Sequence, residues 1–486
     1  MKSINKIFLV LLAGLLYSCE NQLDINTDPN SPGSITPGLA LSAGQASLIT
    51  VTGGDFFNLG GFYAQYHTQA PAAGQYDLID QYNLNTAFAD RSWTELYAGC
   101  LNDLEFTITE SKKIGDTGGV LIGTLLKAYT FQLLVDVFGD VPYSKALLGV
   151  GNITPEVTPG SEIYLDLLSK IDAAVANYKA NPFATKIGKQ DIIYNSDMDQ
   201  WIKFANTLKL KMYLRMSYTD KANPAMVNAL LAANNFLNTD AKYSNFGSGL
   251  NQRNPFYEVQ IEFLGDVNNV ASHSLFNFYN LNSDPRLKSV YRPNSATAYV
   301  SIPQGSGELL NTLPSNYSRP NIKEDTPVYL ITVAESNFLQ AEALIRYAGG
   351  AGAKAKYDAG VTASFTTFGL PTSLATPFLA PGGAYEYVVG ANTEATLRQV
   401  MIQKWASLAN INNIEAYIET TRTKIPEVVT ETSVNYAIGN RIPSKTSILT
   451  GSSIPSILYY PNNEVERNPN IVQHSSLTQK VWWDKK

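Results

Sequence analysis

Residues 332–368 read TVAESNFLQAEALIRYAGGAGAKAKYDAGVTASFTTF, and this stretch decides the fold class. Thr332 and Glu335 have capping-box spacing, which lets a hydroxyl and a carboxylate satisfy free amides in a helix's first turn. The helix that starts there is expected to run to Tyr347, with Gly349 and Gly350 supplying a turn. Ala353 to Phe368 then reads as a second helix. Two helices joined by so short a link form an antiparallel hairpin.

At about 34 residues, that hairpin has the size of one tetratricopeptide unit. Thr393 to Asn410 and Asn413 to Thr423 repeat the scheme, although no strict internal repeat is visible. Upstream, Asp90 opens a helix whose apolar positions Trp93, Leu96, Tyr97, Cys100, Leu101, Leu104 and Ile108 recur at three- and four-residue intervals. Further helices are expected over Val120 to Phe138, stopped by Gly139 and Pro142, over Glu162 to Tyr178, and over Gln200 to Tyr218. In the last of these Trp201, Phe204, Leu208 and Met212 point inward, with Lys203, Lys209, Lys211 and Arg215 elsewhere. Strand-like runs are few. Between Asn245 and Asp325 helical periodicity fades and Asn, Ser, Gly and Pro become frequent, so loops with short elements are expected there. Long irregular stretches inside a domain are often functional.

The chain opens as a secretory signal, with Lys2 and Lys6 before an apolar run from Ile7 to Leu16 that is too short to span a bilayer. It ends in Leu16-Tyr17-Ser18-Cys19, which resembles a lipoprotein lipobox and makes Cys19 the expected lipidation site. Acyl chains at about 0.8 kcal/mol per buried methylene anchor without a transmembrane helix. No later apolar run reads as a membrane span. Glu20, Asp24 and Asp28 resemble the early acidic residues of surface-exported lipoproteins, within a polar tether that extends to Gly38. Cys100 is then the single remaining thiol, so no internal disulfide can form and the core must supply the stability. The formal charge of −6 becomes −8 without Lys2 and Lys6, which argues against nucleic acid as a partner. Only 16% of residues are charged while Tyr, Phe and Trp number 28, 20 and 5, a balance suited to neutral polar ligands such as sugars.

Asp136-Val137-Phe138-Gly139-Asp140-Val141-Pro142-Tyr143-Ser144 resembles the SusD/RagB family of starch-binding outer-membrane lipoproteins, in its second SusD-like branch. The further landmarks fall in order: Trp93 to Tyr97; Trp201 to Lys211; Asp284-Pro285-Arg286; Glu335 with Ala341-Glu342-Ala343; Ile402-Gln403-Lys404-Trp405; and Tyr460-Pro461-Asn462-Asn463-Glu464 followed by Asn468. Where the family usually carries an arginine before the Tyr-Pro, this chain has Ser456-Ile457-Leu458. The resemblance implies a mainly α fold, an α-α superhelix of four tetratricopeptide-like hairpins with long loop insertions. It also implies a lipid-anchored protein of the Gram-negative outer membrane that captures oligosaccharide, or in some members peptide, and hands it to a SusC-like TonB-dependent transporter. The expected organisation is a signal over 1–18, a lipidated tether over 19–38 and one domain over 39–486, with its variable loop-rich part at about 245–325.

Most landmarks have structural readings. The segment from Asp136 is a helix end in which Gly139 takes a positive φ and Asp136 or Asp140 accepts turn amides. Asp284-Pro285-Arg286 is a turn with Arg286 tied to a carboxylate, and Trp201, Trp405 and Cys100 belong to the core. A sugar site needs aromatic platforms beside planar hydrogen-bonding groups. Tyr63 to Asn85 offers Tyr66, Gln69, Tyr76 and Tyr82; Arg253 to Asn280 offers Phe256, Tyr257, Phe263 and Asn269. Tyr76 and Tyr82 lead. No catalytic residue is expected: the nucleophile elbow, the zinc helix motif, the phosphate loop and the dinucleotide fingerprint are all missing. Three well-separated histidines, His67, His273 and His474, give no transition-metal motif, so no cofactor is expected, with an oxygen-ligated Ca²⁺ left open. A surface glycoside hydrolase, which needs only two placed carboxylates, stays as the rival class.

Overall fold

A computed structural model describes residues 35–486 apart from 184, 186, 431, 434–436 and 452; Cys19 and the signal lie outside the described residues. Helices α1 (Pro37–Gly53) and α2 (Asp55–Tyr63) come first. Thr36 caps α1 by accepting from the Leu39 amide at 3.2 Å, with proline next in line. The sequence expectation of a polar tether to Gly38 overlaps the start of α1 and includes neither helix. The helix expected from Asp90 is a single rod over 90–113 whose middle, Glu95–Leu101, is π-helical before α3 (Asn102–Lys113) resumes. That extra width turns Trp93, Leu96, Cys100, Leu104 and Ile108 to one buried face.

Helix α4 (Thr117–Phe138) is capped by Asp116, which accepts from Gly119 at 2.7 Å, and ends at Gly139 with φ 81°. It is long and apolar enough to cross a membrane, contrary to the expectation that no run after the leader is, but it is buried within the protein. Around it lie α5 (Gly160–Ala180), α6 (Met198–Arg215) and α7 (Pro224–Ala233), the last missed despite its Asn223 cap. After α8 (His273–Leu281) come the hairpin α9 (Val333–Tyr347) with α10 (Ala353–Thr367), and then α11 (Thr393–Ser407) and α12 (Asn413–Thr423). Thr332 caps α9 as its spacing foretold, accepting from Glu335 at 3.0 Å, and Gly349 and Gly350 turn with positive φ. Sheet is confined among the described residues to four two-stranded pieces. The architecture is helical and tetratricopeptide-like, as expected.

Packing is tight where helices cross. A Cβ at Gly60 of α2 would lie 2.3 Å from the Asn413 carbonyl carbon, so α12 approaches as closely as only glycine allows. Trp201, Trp405 and Cys100 are core residues, and Arg286 is tied to Asp284 at 2.7 Å, as read from sequence.

One expectation for α6 is corrected. Lys211 and Arg215 do not face away; both are buried at the centre of an ion network. Arg215 bonds Asp136 of α4 at 3.0 Å, Glu415 of α12 at 2.9 Å, and Glu419 of α12. Lys211 reaches Glu415 at 2.8 Å and Glu335 of α9 at 3.3 Å, and Lys404 of α11 reaches Glu419 at 2.8 Å. Arg422 holds Glu342 and Glu419 at 2.7 Å each, and Arg346 holds Glu342 at 2.7 Å. Five cations thus meet five carboxylates. Burial works against the Arg215 charge, yet Glu415, Asp136 and Glu419 hold its pKa well above the ordinary value. Burial likewise opposes ionisation of Glu419, and Arg422, Lys404 and Arg215 hold it well below the usual range. Of the two carboxylates expected to accept turn amides, Asp136 is a network member, and Asp140 accepts from Gly160 at the start of α5 at 2.8 Å.

Arg215→Ala leaves three buried carboxylates short of a partner and should cost about 3–5 kcal/mol. Urea unfolding at neutral pH measures this, and Arg215→Lys should recover only part, since one ammonium cannot replace a three-way fork.

Candidate functional site

Two stretches far apart in sequence supply the candidate ligand residues, and the fold joins them. Strand β1 (His67–Gln69) pairs antiparallel with β2 (Asn269–Ala271), setting His67 opposite Ala271 and Gln69 opposite Asn269. Above this ribbon the Gln260 amide donates to the Tyr76 hydroxyl. Gln260 belongs to a second π-helical turn, Tyr257–Phe263, and π-turns recur at functional sites.

Five of the eight expected residues are closed off inside the protein, which corrects their assignment. Tyr66 is fully buried and donates to the Trp405 carbonyl at 2.5 Å. Tyr82 is fully buried edge-on to Tyr63, with ring centroids 5.5 Å apart. Gln69 spends its side-chain oxygen on the Tyr76 amide at 2.8 Å. Phe256 packs edge-on against Phe57 at 5.2 Å, and Asn269 donates to Asn58 at 2.7 Å. Their role is to shape the support. The other three differ: Tyr76 and Tyr257 are half-buried, and Phe263 is 83% exposed.

The outward surface forms around those three. Phe263 lies within one turn of Gln260, and Asp266, three residues on, is clamped by Arg292 and by Arg319 at 2.7 Å. Exposed Leu78 and Leu309 add apolar area. Beside them Gln81 donates to Glu308, while burial and then the Glu308 charge raise the Asp77 carboxyl above its usual pKa. Gln260, Glu308 and Leu309 escaped sequence reading. A signal existed in Gly305-Ser306-Gly307: a Cβ at Gly307 would sit 2.3 Å from the Gln69 carbonyl oxygen, so that loop presses onto β1. Chemically, an exposed ring, flanking amides and carboxylate acceptors suit a polyhydroxylated ligand.

Beneath this surface lie two titratable groups of opposite sense. Burial pushes His67 down to about 4, only partly offset by its bond to the Asn58 carbonyl. Burial pushes Asp80 up to about 6, against bonds from Thr68, Gln69 and Gln304.

These groups anchor the chain's β1 to the Gln304 loop, since Gln304 reaches Asp80 at 2.5 Å. The sequence model of the second SusD-like family, described as "Starch-binding associating with outer membrane", matches residues 29–447. The chain belongs to this family. Solved structures agree on the fold of this SusD-like chain. A SusD homologue from Bacteroides uniformis ATCC 8492 is 22% identical, with TM-score 0.76, covering 92% of this chain and 99% of its own. A SusD/RagB family protein from Bacteroides thetaiotaomicron VPI-5482 is 21% identical, with TM-score 0.74 and coverage of 93% and 99%. A protein described as chitin-binding is 22% identical, with TM-score 0.73 and coverage of 93% and 100%. Comparison with curated protein sequences gives no match.

Two outcomes are expected in this SusD-like chain. Tyr82→Ala should lower stability by about 3–5 kcal/mol, as large aromatic deletions in a core do, read by denaturant unfolding. The unfolded chain protonates His67 near its ordinary 6.5 and the folded chain near 4, so His67's contribution is whole above pH 6.5 and lost as pH falls to 4. His67→Gln should therefore reduce acid destabilisation between pH 7 and 4 by about 3 kcal/mol, measured as the difference in unfolding free energy at the two pH values.

Proposed function

We propose that this protein is a non-enzymatic, lipid-anchored capture protein on the outer membrane that binds glycan and delivers it to a partner TonB-dependent transporter. The observation that carries the reading is the Tyr257–Phe263 turn, which ends in an 83% exposed ring and whose Gln260 donates to the half-buried Tyr76, in a loop that runs on to Gln81 and its acceptor Glu308. Family membership supports it, the family being described as starch-binding and associated with the outer membrane. So does the fold shared with a chitin-binding protein. Helix α4 is inside the core, and the lipobox-like Leu16-Tyr17-Ser18-Cys19 supports attachment through acyl chains on Cys19.

A ring face gives sugar C–H surfaces a dry platform, and side-chain amides and carboxylates read hydroxyl positions. Neither act needs a bond to be broken. The protein's part is to hold the glycan near the mouth of a barrel and release it there.

The test is retention on a panel of immobilised glycans with reducing ends measured in the same samples. Retention without new reducing ends is expected, and liberated ends would replace this reading with a hydrolase. Phe263→Ala should weaken retention at least about ten-fold, since loss of a stacked ring costs roughly 1–3 kcal/mol, while the melting temperature stays put. Palmitate labelling lost in Cys19→Ser would support the anchor, and co-purification with a barrel the partner.

A further inference from the structure

The Tyr257–Phe263 turn has two sides. Gln260 meets Tyr76 under the loop surface, whereas Glu258 and Val259 line a cleft of about 510 Å³. Helix α1 forms the cleft's back wall through Ile49 and Thr50, and Arg91 closes another side. A narrow extension shares Thr50, Arg91, Pro255 and Val259 and reaches Asp55 and Glu95. Glu95 opens the other π-turn, Glu95–Leu101, so the cleft lies between the two π-turns of the described residues.

Its lip is the segment 243–253. Gly247 donates to the Gln252 carbonyl at 2.8 Å and Gln252 to the Gly249 carbonyl at 3.0 Å, closing a tight turn. Arg253 ties that turn down by donating to the Ser248 carbonyl at 2.9 Å. Tyr243 and the half-buried Phe246 meet edge to face, centroids 4.7 Å apart at 89°, and Asn245, Asn251 and Gln252 line the same hollow. A braced lip loses little entropy on binding.

We propose that this cleft is a second saccharide site, separate from the loop surface, for a neutral sugar. The inference rests on the glycan-capture reading above. The volume lies within the range of small-molecule clefts, and the lining pairs a ring with planar hydrogen-bonding side chains. Charge selects the class. Arg253 is already engaged by Glu258 at 3.4 Å, Glu262 at 3.3 Å and Glu324 at 3.9 Å. With Asp55 and Glu95 in the extension, five carboxylates surround two guanidiniums, so a uronate is repelled. Two sites on either side of one turn let a single glycan chain be gripped twice, which multiplies retention.

Calorimetric titration with malto-, chito- and cello-oligosaccharides tests this. For the series that binds, two sugars per chain are expected, falling to one in Phe246→Ala and in Ala46→Trp, whose exposed position lets the indole fill the cleft without entering the core. Retention on the matching polymer should drop at least about ten-fold in each. Phe263→Ala should leave the cleft site intact, and uronate oligomers should not bind it. One sugar per chain with both cleft variants indistinguishable from the parent overturns the second site and leaves capture standing. No binding of any series by the parent overturns both.

Discussion

The protein is organised around a set of charges removed from water. Arg215 binds α4 and α12 at once, Lys211 adds α9, and Lys404 and Arg422 close the circuit through Glu419 and Glu342. Each of these groups is expensive to bury alone, and their attraction offsets that only when every partner is in place. The demand fixes the axial position and rotation of five helices together. Apolar packing by itself tolerates more slippage, because a leucine accepts several neighbours while a guanidinium fork does not. The landmark residues Asp136, Lys211, Glu335, Glu342 and Lys404 are therefore one device. They carry the superhelix, and the loop surface is built outside it.

The loop surface inherits its geometry from that scaffold by a short route. Gly60 lets α12 lie on α2, α2 leads into β1, and β1 aligns β2 and the Gln304 loop. The π-turn that follows Phe256 is then set by Phe57 beneath it and by Asp266 with its two arginines beyond it.

The helices were legible where an apolar stripe ran between a capping side chain and a glycine, as in α4 and α9. The pattern failed at Lys211 and Arg215, because charged side chains on a helix normally mark its wet face and nothing local announces five carboxylates waiting on other helices. It failed again at Tyr66, Gln69, Tyr82, Phe256 and Asn269. There a polar, aromatic loop was taken for surface, whereas the pairing of β1 with β2 covers it, and such pairing over two hundred residues leaves no short-range trace. Phe263, Tyr257 and Tyr76, picked out by the same composition, do reach solvent. The Gln304 to Leu309 stretch was not legible, since its glycines report a close approach without naming the strand approached.

Trp483 is fully buried, its indole donates to Asp136 at 2.8 Å, and the Arg215 guanidinium lies over its ring at 5.5 Å. Asp484 beside it pairs with Lys424 at 2.9 Å. The carboxylate that opens the family's signature segment thus acquires its full shell only after some 350 further residues have been synthesised. The last of Asp136's partners therefore comes from the far end of the chain, so the core's central charge is fully enclosed only once residue 483 has docked.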